Sequence, residues 1–224
     1  MNDSFQRAFE TVTGMAYVIL MTNILVGIPV LPIVLLYATT DLGFSWHALL
    51  VLMPFVAPLF AAAFGVMTRF SDTGQTTVIR TFIATLRATF RPALIVGVTA
   101  TAVLAIVIID VGIVWESRWG ALVIPILATI GVVTLITSLT VLVALAVEPE
   151  ARLRLAWKAS LALAVRRWYL SALSLVVLSV FAGFAIQQPA LGLGLALTPA
   201  LYLVWANARY SLRPVLPPVM APAA

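Results

Sequence analysis

Cysteine is absent from this chain, and histidine occurs once, as His47. Without thiols there is no disulfide, no thiolate nucleophile and no cysteine metal site, and a single imidazole cannot build a histidine cluster. Charge is scarce as well. Asp, Glu, Lys and Arg make up 9% of the 224 residues, against about a quarter in an ordinary soluble domain. The chemistry-bearing motifs are missing too. There is no G-x-x-x-x-G-K-[ST], and no Gly-Lys dipeptide at all, so an ATPase subunit is excluded. H-E-x-x-H and G-x-S-x-G do not occur, and no pair of carboxylates falls inside an apolar run. The expectation is a protein that is not an enzyme and holds no cofactor or metal.

What the chain has is apolar length. Hydrophobic residues account for 63% of it, and a water-soluble globule of this size would leave about 30% of its unfolded surface exposed, far too much to hide such a composition. The solvent is therefore lipid. A helix crosses a hydrocarbon core of about 30 Å with about 20 residues, and six runs approach that length: Met15–Tyr37, Ala48–Met67, Ala93–Val114, Ala121–Val147, Trp168–Ile186 and Leu191–Ala208. Lipid leaves the backbone groups of an open strand unpaired, and no alternating segments of barrel type occur, so all six read as helices. Pro54 and Pro58 should kink the second, and Pro199 the sixth. The expected fold is all-α: a polytopic membrane helix bundle of about six transmembrane helices plus two cytoplasmic amphipathic helices. It forms one transmembrane domain over residues 1–214, followed by a Pro-rich cytoplasmic tail over 215–224. No basic n-region or small-residue cleavage site precedes the first run, so that run should stay as an anchor.

Twelve of the thirteen basic residues fall on one side of these six runs, and Arg118 is alone on the other. The positive-inside rule then puts both termini in the cytoplasm. The net charge of +5 serves topology, and nucleic acid is not an expected partner. Trp46, Trp115, Trp119, Trp168, Tyr169 and Tyr210 lie near span ends, where amphipathic rings settle at the interface.

Two basic segments join spans on the cytoplasmic side. The first opens with a breaker, Ser71-Asp72-Thr73-Gly74, and reads as a helix over about Thr76–Phe90, with Ile79, Phe82, Ile83, Leu86 and Phe90 on one face. Arg80, Arg87 and Arg91 fall within about 40° of one another at 100° per residue, so they form a stripe. The second should start at Glu148-Pro149-Glu150, with acids and proline in the first turn. Leu153, Trp157, Leu161 and Trp168 share a face there, and Arg154 and Lys158 are its basic members. Each basic residue near an anionic surface is worth about 1 kcal/mol, so Arg80, Arg87, Arg91, Arg154 and Lys158 are the candidate contacts. They would touch either membrane lipid, as interfacial helices, or a partner protein.

Inside the membrane two residues are out of place, Asn23 in the first run and Asp110 near the outer end of the third. Either could contact a substrate, a proton or a partner helix. Equally, Asp110 could reach interfacial water or pair with Arg118, and Asn23 could bond across helices, as Thr134, Thr137, Ser138 and Thr140 could in the fourth run. Ala61 and Gly65 give a small-x-x-x-small face suited to close helix contact.

On these residues the chain resembles the YesL family of bacterial membrane proteins, also described as domain of unknown function 624. Ala61-Ala62-Ala63 running into Arg69 is similar to that family's second-span signature, and Ile79-Arg80-Thr81-Phe82 to its amphipathic helix. Ile109-Asp110 closes the third span at the family's spacing, and Asn23 matches its polar residue in the first. The family has Pro immediately before the Ala-rich stretch, whereas Pro58 is offset, and the last two spans match in plan only.

The resemblance implies an accessory protein of the bacterial cytoplasmic membrane. It would act beside a carbohydrate (oligosaccharide) ABC importer, through helix-helix binding to the permease subunits or to further copies of itself. It does not imply the permease, because Glu150-Ala151 begins the E-A-A…G coupling loop and the Gly is missing. Two other readings stand beside it. A stand-alone small-solute transporter or channel requires Asn23, Asp110 and the Thr134–Thr140 set to converge on a water-filled cavity. An enzyme acting on lipid-linked sugar requires a working cluster at Asp110, Glu116 and Arg118.

Overall fold

The computed structural model describes residues 3–40, 42–150, 152–166, 168–188, 192 and 196–212. Everything regular among them is helical. The helices are α1 (Asp3–Thr39), α2 (Leu42–Leu52), α3 (Val56–Thr73), α4 (Val78–Val114), α5 (Gly120–Val147), α6 (Leu153–Arg166), α7 (Trp168–Gln187) and α8 (Leu197–Leu212). Four segments are long and apolar enough to cross a membrane: Thr13–Tyr37, Trp46–Thr73, Val78–Val114 and Gly120–Val147. The expected tail at 215–224 lies outside the described residues.

Proline has different consequences at different places. In the second apolar run the chain passes from α2 to α3 through a 3-10 turn, Met53–Phe55, centred on the buried Pro54. That is the kink the sequence calls for. At Pro92 the outcome differs from expectation. The basic segment and the third span are not two helices but one, α4, with Pro92 inside it. Packing explains the continuity. Thr85, on one side of Pro92, lies against Gly65, and Gly97, on the other side, lies against Pro54 and Ala57. The α2–α3 unit thus braces α4 across the one hydrogen bond that proline removes.

These contacts are close enough to exclude a side chain. A Cβ at Gly65 would come to 2.5 Å from Thr85 Oγ1, and one at Gly97 would strike the Pro54 carbonyl oxygen and lie 2.9 Å from Ala57 Cβ. Ala61, Ala62, Ala63 and Phe64 are wholly buried beside this contact, as the small-residue pattern of the second run suggests. The turn into α4 depends on Gly74, which takes φ 66° and donates its N–H to Phe70 O at 2.8 Å. Ser71–Thr73 are still helical, so the break begins at Gly74 and runs to Thr77.

The buried faces are rotated from those the sequence suggests. On α4 the inward residues are Val78, Phe82, Thr89, Ala93, Val96 and Gly97. Ile79, Ile83 and Phe90 are 47%, 41% and 40% exposed. Period alone cannot choose between two neighbouring apolar stripes, and the antiparallel approach of α3 takes the one with smaller side chains. On α6, which starts at Leu153 rather than at Glu148-Pro149-Glu150, Ala156, Ser160 and Leu163 are buried while Leu161 is exposed.

A set of contacts fixes the register of α1, α3, α4 and α8. Gly14 on α1 faces Phe70 of α3 and Thr76. Trp205 and Arg209 on α8 bond Thr68 and Asp72 on α3, so these two helices run parallel. Counting from these contacts, Asn23, Ala61, Thr89 and Thr198 share one level, and all four are at most 1% exposed. The buried core lies here and toward the α3–α4 turn, and includes Val141–Leu145 of α5 and Leu201, Val204 and Trp205 of α8. Beyond Gly97, the outer halves of α4 and α5 present apolar side chains outward, with Ile108 and Ile113 70% and 72% exposed.

The close approach gives a direct test. Gly97→Ala should destabilise the protein by about 1–3 kcal/mol, visible as a lower melting temperature in detergent. Gly112→Ala, where a Cβ meets nothing within 4 Å, should leave it unchanged. Equal melting of the two variants would remove Gly97 as the reason for the α3–α4 register.

Candidate functional site

The Asn23 side chain ties α1 to the start of α8. Its Oδ1 accepts both the backbone N–H of Thr198, at 2.8 Å, and the Thr198 hydroxyl, at 2.7 Å. The geometry has a clear origin. The first N–H groups of a helix lack intrahelical partners, and inside a bundle no water can take them. Pro199 follows Thr198 and contributes no N–H of its own, which suits a helix start. Asn23 therefore acts as a cap supplied by another helix.

A second clasp closes the end of the bundle near the α3–α4 turn. Trp205 Nε1 donates to Thr68 Oγ1 at 3.0 Å, and the Thr68 hydroxyl donates to Phe64 O at 2.8 Å. One turn further on, Arg209 pairs with Asp72 at 2.5 Å and lies 5.2 Å from the Trp205 ring. Both helices present their partners four residues apart, so the two rungs form one ladder. The sequence carries this signal as two i, i+4 pairs, Thr68/Asp72 and Trp205/Arg209. Nothing in the sequence says that the two pairs face each other.

The remaining polar groups of the apolar segments do not converge on Asn23. Thr134 and Thr140 turn their hydroxyls back onto Ile130 O and Ile136 O within α5. Thr140 also lines a small cavity with Ser174, Asn207 and Ser211, where Asn207 Nδ2 donates to Ser174 Oγ at 3.2 Å. That cavity is about 20 Å³, room for about one water molecule. The hydroxyls of Thr22, Thr137, Ser138 and Ser160 are buried without a hydrogen-bond partner among the described residues.

Asp110 is half-buried near the far end of α4 and makes no ion pair with Arg118. Arg118 lies instead over the Trp119 ring, 5.3 Å from its centroid. Glu116 and Arg118 are exposed in the α4–α5 turn. Among the described residues no three His, Asp or Glu side chains come together. Asn23, Asp110 and the threonines of α5 thus face separate neighbours. Trp46, Trp115, Trp119 and Tyr210 are exposed at the ends of their helices, as interfacial rings would be.

The candidate basic contacts are all on the surface. Arg80, Arg87 and Arg91 on α4 are exposed, as are Arg154 and Lys158 on α6, and none of the five is in an ion pair among the described residues. The continuity of α4 puts the arginine stripe and the third apolar run on one helix.

No family model matches the chain, and no curated protein or solved structure is similar to it at a significant level.

The Asn23 cap is open to measurement. Asn23→Ala leaves the Thr198 N–H without an acceptor and should destabilise the protein by about 1–3 kcal/mol, read as earlier thermal unfolding in detergent. Asp110→Asn, at a side chain with no such bond, should unfold with the parent. A reversed order would mean that Asp110, and not Asn23, holds the bundle.

Proposed function

We propose that this chain is an accessory subunit of the bacterial cytoplasmic membrane, working by helix-helix binding beside a carbohydrate ABC importer. In this reading α7 and α8 complete a six-span bundle with both termini in the cytoplasm. The observation that carries it is the contrast between the inside and the outside of the bundle. The inside holds Asn23 in a structural cap and has a cavity for about one water. The outside carries five basic side chains on α4 and α6 with no partner among the described residues. A protein arranged this way has its unused binding capacity on its surface. The tie to sugar import comes from the YesL-like residues Ala61–Ala63, Arg69, Ile79–Phe82 and Asp110, and the orientation from the one-sided distribution of basic residues.

The separate surroundings of Asn23, Asp110 and Thr140 withdraw support from a stand-alone transporter. Glu116 and Arg118, exposed and in no ion pair among the described residues, do the same for an enzyme acting on lipid or lipid-linked sugar.

Two measurements test the proposal. A green fluorescent reporter fused after Leu212 should fluoresce, and a periplasm-dependent phosphatase inserted at Ser117 should be active; the opposite pattern would invert the topology. Purification from native membranes in mild detergent, after crosslinking, should recover permease subunits of a sugar importer at stoichiometric level. A homogeneous product with solute uptake in liposomes would overturn the accessory reading.

A further inference from the structure

Four polar side chains from three helices converge on the cavity beside α8. Thr140 comes from α5, Ser174 from α7, and Asn207 and Ser211 from α8. Thr140, Ser174 and Ser211 are each at most 8% exposed. The rest of the lining is apolar, and no charged residue takes part in it. The volume of about 20 Å³ exceeds the roughly 10–15 Å³ that one water needs.

The hydrogen bonds made there leave capacity over. Thr140 Oγ1 gives its proton to Ile136 O at 2.9 Å, and its lone pairs can still accept. Asn207 Nδ2 donates one N–H to Ser174 Oγ at 3.2 Å and carries a second. The Ser211 hydroxyl makes no hydrogen bond among the described residues, although the residue is buried. A buried hydroxyl in that condition is costly. One molecule that both donates and accepts can satisfy it together with Thr140 and Asn207.

Size and charge choose that molecule. A space for one oxygen-sized occupant is too small for a sugar or a lipid headgroup. All four polar groups are neutral, so an ion would lie buried without an opposite charge. Water fits the volume, and buried waters typically make about three hydrogen bonds. We infer that the cavity between α5, α7 and α8 is a binding site for one ordered water, held by Thr140, Asn207 and Ser211, through which α5 is hydrogen-bonded to the α7–α8 pair. A water bridge is enthalpically nearly as good as a direct bond, and bonds between helices are among the few forces that hold a bundle together in lipid. Ser174 already joins α7 to α8, and the water extends that joint to α5. The inference goes beyond the accessory reading and does not depend on it.

X-ray radiolysis of the full chain in detergent provides the test. Hydroxyl radicals formed from a bound water oxidise the side chains beside it, even with a scavenger removing radicals from bulk solvent. Ile136 and Val204, which line the cavity, should be oxidised several-fold faster than Ile33 and Val66, which match them in burial. Ser211→Ala leaves room and partners for the water and should keep that difference. Ser211→Val puts methyl groups in its place and should abolish it. Should Ser211→Val not fold, Thr140→Val with Ser211→Ala removes two of the three holding groups and should abolish it in the same way. Equal oxidation of the two pairs in the parent would overturn the inference, and so would a difference that survives these substitutions. A melting temperature that falls when choline gluconate replaces sodium chloride, in the parent but not in Ser211→Val, would overturn it in favour of a bound ion.

Discussion

Gly97 lies where any side chain would strike the carbonyl of Pro54, and most of the observed arrangement depends on that approach. Because α4 can lie against the 3-10 turn at Pro54 and, twelve residues earlier, against Gly65, it stays alongside the α2–α3 unit, antiparallel to it, over most of that unit's length. The helix then survives its internal proline, since the neighbouring helix holds both halves in line. Once α3 and α4 are in register, Thr68 and Asp72 are at the right height for Trp205 and Arg209, and α8 follows. Asn23 completes the set by closing the N-terminal end of α8. Without a hydrophobic force to drive helices together inside lipid, close packing and interhelical hydrogen bonds of this kind are what remain.

The same constraint distributes function. Asn23, Thr68 and Trp205 are occupied in holding helices together, and the polar cavity beside α8 admits about one water. The outward faces of α4 and α6 differ from the interior in keeping charge. On α4 that charge lies on the same helix as the third apolar run.

Some of this was legible in the sequence because the relevant physics is local. Long apolar runs and a deficit of charge demand helices in lipid, whatever the runs pack against. The kink at Pro54 and the small residues Ala61–Gly65 were readable for the same reason. The face that α4 buries was not. Ile79, Ile83 and Phe90 make as good an apolar stripe as Val78, Phe82 and Ala93, and only the approach of α3 separates them. The start of α6 was misplaced because acids and proline at Glu148–Glu150 favour a helix start without forcing one there.

The sequence by itself determined the solvent, the helical content and the one-sidedness of charge, since each follows from composition or from residues within a turn or two of one another. The tertiary structure alone decided that Pro92 does not end α4, that Asn23 serves Thr198 across 175 residues of chain, and that the arginine stripe and the third apolar run share one helix. Those outcomes depend on which helix stands next to which, and at what height. Contacts between distant parts of the chain set both.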